Sequence, residues 1–264
     1  MPATWKIAKP CGIDLYVHWS FWLLPLAVLL SGSSVSLLTT GTHLGLMFAL
    51  FSCVILHEYG HALTARHFGI RTRTITLYPI GGVARMESLA QTAWQEFWIT
   101  LMGPLVNVVI AALLAAGLFA ASQLAPPLLD SWPGEFVHML MWLNVGVVAF
   151  NLLPAFPMDG GRILRAVLTP SLGALKATRV AADLGAVVAA LFGVAGFVLL
   201  HSVMLLVSAV FIIYAGQREK AMMEARLRAE QWQVRMPDDA EPTPAQGVVL
   251  VWNPRTGSWT TRAL

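Results

Sequence analysis

The sequence predicts a membrane protein that is all-α apart from one short β-sheet, with about six transmembrane helices and the membrane-associated sheet between the second and third spans. Three observations carry that expectation. The chain of 264 residues is 57% hydrophobic and only 12% charged, with a mean hydropathy of +0.67, where soluble domains are roughly a quarter charged. Its apolar residues gather into stretches long enough to cross a bilayer. Between two of these stretches the periodicity changes from helical to alternating.

A membrane helix needs about 20 predominantly apolar residues, and residues 18–38, 44–66, 96–122, 135–153, 180–199 and 201–216 supply them. The first apolar run begins near Trp19 and is followed by no clear small-residue cleavage site, so it reads as a retained span rather than a signal peptide. With the N-terminus inside, Lys6, Lys9, Arg66, Arg71, Arg73, Arg85, Arg162, Arg165, Lys176, Arg179 and everything from Arg218 onward fall on the inner side. The expected outer loops, near 39–43, 123–134 and 200, hold no Lys or Arg. The positive-inside rule therefore predicts an integral membrane protein with both termini cytoplasmic. The same placement explains the formal charge of +3 without a nucleic-acid partner, because the basic residues flank apolar runs instead of clustering on a soluble face. Cys11 and Cys53 lack the paired spacing of a metal knuckle or redox dithiol.

From Ile70 to Tyr78, polar residues alternate with apolar or β-branched ones, followed by Pro79, Gly81 and Gly82. Lipid does not tolerate open strand edges, so this segment must pair with other strands, lie at the interface or line a cavity. The expected division is a transmembrane core over 1–216 and a cytoplasmic tail over 217–264. In the tail, 217–236 has helical composition, 237–246 reads as a Pro-rich linker, and 248–261 suits either a small β-hairpin or a disordered end.

Chemistry concentrates in His57-Glu58-Tyr59-Gly60-His61. Helical positions four apart lie about 40° apart around the axis, so both imidazoles project toward one ion. Glu58 adjoins that face, where it can take a proton from metal-activated water. Ionisable residues are costly inside an apolar span, and a zinc site accounts for all three together. The plainer alternative is a hydrogen-bonded polar cluster joining helices.

Catalytic zinc usually keeps three protein ligands and one open position. His67 is one candidate for the third, as in soluble proteases that add a last His after a glycine turn, but Thr64 stands where that glycine falls. If the helix continues, His67 lies about 240° round from His61 and faces away. Asp159 is the other candidate: it follows Pro154 and Pro157, which stop the preceding helix, and so sits where a broken helix lines a cavity. Spacing alone leaves it equally suited to capping the next helix. His18, His43, His138 and His201 fall near predicted span ends and read as interfacial or packed residues.

HEYGH in the second span, IGGVARME after it, Gly103-Pro104-Leu105-Val106-Asn107 in the third and Asn151-Leu152-Leu153-Pro154-Ala155-Phe156-Pro157-Met158-Asp159-Gly160-Gly161-Arg162 after the fourth occur in this order. Together they resemble the site-2 protease family of intramembrane zinc metalloproteases, specifically its six-span bacterial and archaeal branch. Val17-His18-Trp19-Ser20 is similar to that branch too, and the resemblance covers residues 11–216. It implies a zinc metalloendopeptidase, with one zinc ion per chain, that hydrolyses peptide bonds within or near transmembrane segments of membrane-spanning substrates, in regulated intramembrane proteolysis. It implies that His57, His61 and Asp159 are the metal ligands and Glu58 the general base and acid. By the same resemblance Asn151 helps bind substrate or the oxyanion, against the simpler reading of a helix-end hydrogen bond. Gly81 and Gly82 match a segment lying beside the active site, and Pro104 and Asn107 a motif packed near it.

A substrate helix must unwind before its carbonyls can be attacked, and pairing with the strand at 70–78 is one way to satisfy the exposed groups. Some relatives carry PDZ or CBS modules; the outer loops and tail seen here are too short for them. A metal transporter, a silent scaffold and a bis-His haem protein are the rival readings. The first calls for repeated polar sites along a path, the second for a lost core residue, and the third for imidazoles on opposite faces of a haem. The sequence does not supply these.

Overall fold

A computed structural model describes residues 4–31, 36–235, 248–253 and 258–263. Two short strands come first, β1 (Thr4–Ala8) and β2 (Asp14–His18), joined through a 3-10 turn at Pro10–Gly12. A second 3-10 turn, Trp19–Trp22, leads into α1 (Leu23–Ser31) and then α2 (Leu37–His67). Strands β3 (Thr72–Tyr78) and β4 (Gly81–Met86) follow, then α3 (Ala93–Leu124), α4 (Trp132–Asn151), α5 (Asp159–Leu172), α6 (Ala174–Leu200) and α7 (Val203–Arg235). The chain divides into two units, residues 1–220 and 221–264. In the second, β5 (Val248–Asn253) pairs antiparallel with β6 (Ser258–Ala263), which is the hairpin alternative of the sequence reading.

Four described helical stretches are long and apolar enough to cross a membrane: Leu38–His67, Ala93–Leu124, Trp132–Asn151 and Ala174–Leu200. They coincide with four of the six expected stretches. The apolar helix at Trp19–Leu30 is shorter. The apolar stretch at 201–216 and the charged one after it lie in one helix, α7.

The sheet is larger than the sequence suggested. It has four strands in the order β1-β2-β3-β4. β2 and β3 run parallel, with Leu15 beside Ile75 and Val17 beside Leu77, and a parallel pair needs a long crossover, supplied here by α1 and α2. One face buries Ile13, Leu15, Val17, Ile75 and Leu77 against Tyr59 and Ala62 of α2, so the sheet is fixed to the helix that carries HEYGH. β4 pairs antiparallel with β3, Gly82 opposite Leu77 and Gly81 opposite Tyr78. Gly81 and Gly82 thus open a strand, and one expectation is corrected: β3 is an inner strand paired on both sides, closed to an added one. On the outer strand β1, a hydrogen bond from Lys6 holds the Asp14 carboxyl below the usual carboxylate range.

Local signals set the helix ends. Ser36 caps α2 by accepting from Thr39 N at 3.2 Å, and Thr92 caps α3 by accepting from Gln95 N at 3.2 Å. At the far end of α2, Gly69 has φ of +79°. Its N–H donates to Arg66 O at 3.0 Å while Ile70 N donates to Ala65 O at 2.9 Å, the paired bonds that terminate a helix through a left-handed glycine.

Deeper in the first unit, the buried Arg165 of α5 donates from Nε to Glu96 of α3 at 2.9 Å, bonds Glu219 of α7, and lies 5.2 Å from the centroid of the Phe156 ring. Arg165→Ala should destabilise the protein by about 3–5 kcal/mol, because it strands two carboxylates in a poorly hydrated place. Unfolding titrations in mixed micelles measure this, and a loss under about 1 kcal/mol would show the pair to be well solvated.

Candidate active site

α2 is continuous through His57 and His61, and the one-turn spacing brings their Nε2 atoms to 3.1 Å from each other. Asp159 Oδ2 lies 3.2 Å from His57 Nε2 and 3.3 Å from His61 Nε2. The histidines are 5% and 8% exposed. The helix does not turn at Thr64, and His67, at its end, lines a cleft with Leu63, Phe68, Trp94, Trp98 and Met102. It is absent from the group of donor atoms that His57, His61 and Asp159 form within 4.8 Å of one another.

The other ring nitrogen of each histidine is occupied. His61 Nδ1 is 2.7 Å from the Ile99 carbonyl of α3, and His57 Nδ1 is 2.7 Å from Asn107 Oδ1. An oxygen acceptor at each Nδ1 places the proton there, so both Nε2 lone pairs and the Asp159 carboxylate face a common point. Without a cation these three acceptors repel. With one they form the two-nitrogen, one-oxygen donor set of a catalytic zinc site, its Nδ1 partners fixing ring orientation. The residues therefore fit zinc.

Asp159 is the first helical residue of α5, whose N-cap is Met158 with no side-chain capping bond. Its carboxylate lies beside the histidines instead, within 3.3 Å of both Nε2 atoms. The two glycines after it let α5 rest on the loop before it: a Cβ on Gly161 would sit 2.7 Å from the Ala155 carbonyl carbon, and one on Gly160 2.5 Å from that of Leu152. Across the site, Gly103 of α3 leaves room for the imidazoles, since a Cβ there would lie 2.8 Å from His57 Nε2 and nearer still to His61.

Glu58 is flanked by β4. A Cβ on Gly82 would come within 2.9 Å of Glu58 Cδ and 3.1 Å of Oε1, so glycine at 82 admits the carboxylate. Gly81 has open space around it and φ of +136°, a backbone requirement of the hairpin. Asn151 donates from Nδ2 to Val147 O at 3.0 Å in its own helix and makes no hydrogen bond to the cluster. Sequence reasoning had Asn107 as packing; it bonds a histidine. Gly103 was seen only as part of a motif, and the Ile99 carbonyl leaves no sequence signal.

Residues 45–131 and 127–195 match the profile of Peptidase family M50. The chain belongs to that family, the site-2 proteases. It is 33% identical to the zinc metalloprotease MJ0392 of Methanocaldococcus jannaschii over 220 residues, 83% of this chain and 61% of that protein. It is 34% identical to the putative zinc metalloprotease sll0528 of Synechocystis over 194 residues, 68% of this chain and 49% of that one. This chain thus spans about half to three-fifths of these relatives. Stage IV sporulation protein FB of Bacillus subtilis is 27% identical over 168 residues, 63% of this chain and 52% of that one. The solved site-2 protease from M. jannaschii superposes with a TM-score of 0.59 at 32% identity, over 82% of this chain and 95% of that one.

Gly103→Ala tests the geometry directly. Zinc content after dialysis should fall, with affinity reduced by about tenfold or more, while Gly117→Ala, in open space on the same helix, should leave it unchanged. Equal zinc in both variants would mean that Gly103 does not set the site.

Proposed function

We propose that this chain is an intramembrane zinc metalloprotease in which His57, His61 and Asp159 hold one zinc ion and Glu58 is the general base and then the general acid. The observation that carries this reading is the convergence of two Nε2 lone pairs and a carboxylate on one buried point, with Glu58 the next residue on the same helix. When bound, zinc supplies the Lewis acidity that makes water a nucleophile near neutral pH. Glu58 takes the proton from the attacking water at its carboxylate, holds it while the carbonyl becomes tetrahedral, and gives it to the leaving amine. Asn107 and the Ile99 carbonyl hold the two imidazoles in orientation throughout. Asn151 reaches substrate by exchanging its bond to Val147 O for one to the scissile peptide.

The proposed substrate is a membrane-spanning protein, cut within or near its transmembrane segment in regulated intramembrane proteolysis, with the bilayer as surroundings and no part for nucleic acid. Its helix must unwind locally, and the freed N–H and C=O groups then need partners. Among the described residues strand β4 pairs on one side only, and Gly82 in it lies against Glu58. Adding the unwound stretch there satisfies those groups and brings a carbonyl to the site. The proposed setting is a cytoplasmic membrane crossed six times by residues 1–216, the short helix at Trp19–Leu30 and the start of α7 completing the set, with both termini and the 217–264 tail cytoplasmic. The one-sided Lys and Arg distribution supports that topology.

Wild type and Glu58→Gln, purified in detergent, should each bind about one zinc, and Glu58→Gln should cleave a panel of single-span substrates about 10²–10⁴-fold more slowly. Zinc in both with cleavage by neither would favour a scaffold. A cysteine at Val83, an exposed position of β4, should crosslink to a cysteine next to the scissile bond of a bound substrate. Crosslinking only to a cysteine at exposed Trp5 of β1 would move the docking edge to the opposite side of the sheet.

A further inference from the structure

Asn107 on α3 and Asn144 on α4 are both buried to 0% exposure. Asn107 Nδ2 donates to Asn144 Oδ1 at 2.8 Å. Asn144 Nδ2 donates to its own helix at Leu140 O, 2.9 Å away, and approaches Cys53 Sγ at 3.5 Å. With the bond from His57 Nδ1 to Asn107 Oδ1, the chain runs from a backbone carbonyl to the imidazole, and each side-chain nitrogen and oxygen along it has a partner.

The direction of that chain is set at one end. A carboxamide can flip, but the Leu140 carbonyl can only accept. Turning Asn144 over would put its oxygen 2.9 Å from another oxygen, so its amide stays toward Leu140 and its oxygen toward Asn107. Asn107 must then offer its NH₂ to Asn144 and its oxygen to His57. An oxygen at that position requires the His57 proton on Nδ1, which frees Nε2. His61 receives the same instruction directly from Ile99 O.

We propose that Asn144 is a positioning residue that, through Asn107, transmits the polarity of the Leu140 carbonyl to His57 and holds it in the tautomer able to bind metal. This rests on the metalloprotease reading for its purpose but not for its test. Remove Asn144 and the NH₂ of Asn107 is left without a partner in an apolar interior. Asn107 is then free to flip and present NH₂ to His57, favouring a proton on Nε2, the nitrogen that must be bare.

The test is Asn144→Leu, similar in size and apolar. Metal-free protein labelled with ¹⁵N-histidine is examined at a pH where the imidazoles are neutral, the His57 signals being assigned by their loss in His57→Gln. Wild type should show His57 protonated on Nδ1, and Asn144→Leu a mixture or the Nε2 form. Zinc affinity, by chelator competition, should fall about 10–100-fold in the variant. Asn144→Asp supplies the rescue: in its neutral form the acid donates to Leu140 O and offers a carbonyl oxygen to Asn107, preserving the direction of the chain. It should bind zinc more tightly than Asn144→Leu, whereas a purely packing role predicts the opposite order, since leucine suits an apolar interior better. Asn144→Ala carries the same expectation as leucine and takes its place if that variant does not fold. An unchanged His57 tautomer with wild-type zinc affinity in the apolar variants overturns the inference and leaves the protease reading intact. Failure of wild type itself to bind zinc overturns that reading, and the tautomer comparison still decides the relay.

Discussion

Everything at the centre of this molecule follows from placing two imidazoles and a carboxylate where water is scarce. Polar groups in such surroundings are costly unless each donor and acceptor is matched. Here the matching is almost complete: His61 Nδ1 has the Ile99 carbonyl, His57 Nδ1 has Asn107, and Asn107 has Asn144. What the protein leaves unmatched are the two Nε2 lone pairs and Asp159 Oδ2, all turned to one point. An ensemble of acceptors that repel one another is held together by the surrounding fold, and a divalent cation turns that repulsion into binding.

That requirement dictates how the helices approach. Because α2 runs straight on to His67, it supplies two donors on one face and no third. The third comes from the start of α5, which is placed by the contact of Gly160 and Gly161 with the loop before it and of Gly185 in α6 with Ala155, where a Cβ would lie 2.7 Å from the Ala155 Cα. Farther along α5, Arg165 ties the same element to Glu96 at the start of α3 and to Glu219. α3 is thus engaged at both ends of one unit: Glu96 holds α5, and Gly103 and Asn107 hold the histidines. The cluster is a property of tertiary packing, although its two histidines are one turn apart in sequence.

How much of this the sequence discloses depends on the range of the interaction. HEYGH is local, and the four long apolar helices, the one that carries it among them, were legible as apolar stretches. Strands β1 and β2 were not: β2 is five residues long, abuts an apolar run, and finds its partner β3 only after the α1–α2 crossover. The single strand read at 70–78 was real, but its place inside the sheet was set by that distant partner, which closes the edge that the sequence reading assigned to substrate. Backbone acceptors such as Ile99 O have no residue signature at all. Asn144 did have one, a carboxamide in an otherwise apolar span, which calls for a buried partner on the same grounds that single out charged residues there.

The order of the sheet also constrains the chemistry that this fold can support. A strand with both sides paired contributes rigidity, and β3 does so by packing the fully buried Ile75 against the face of α2 that bears Tyr59 and Ala62. A strand with one side open is where new backbone can be satisfied, and β4 is the open strand that reaches Glu58. In the proposed mechanism the separation matters because the two tasks conflict: a rigid reference is needed to hold Glu58 within reach of the attacking water, while an edge that accepts substrate must stay unpaired until it arrives. Gly82 is where they meet, since a side chain there would collide with the Glu58 carboxylate at the edge proposed for the substrate. On this reading the glycine is a condition of bringing a general base and an extended peptide to the same point.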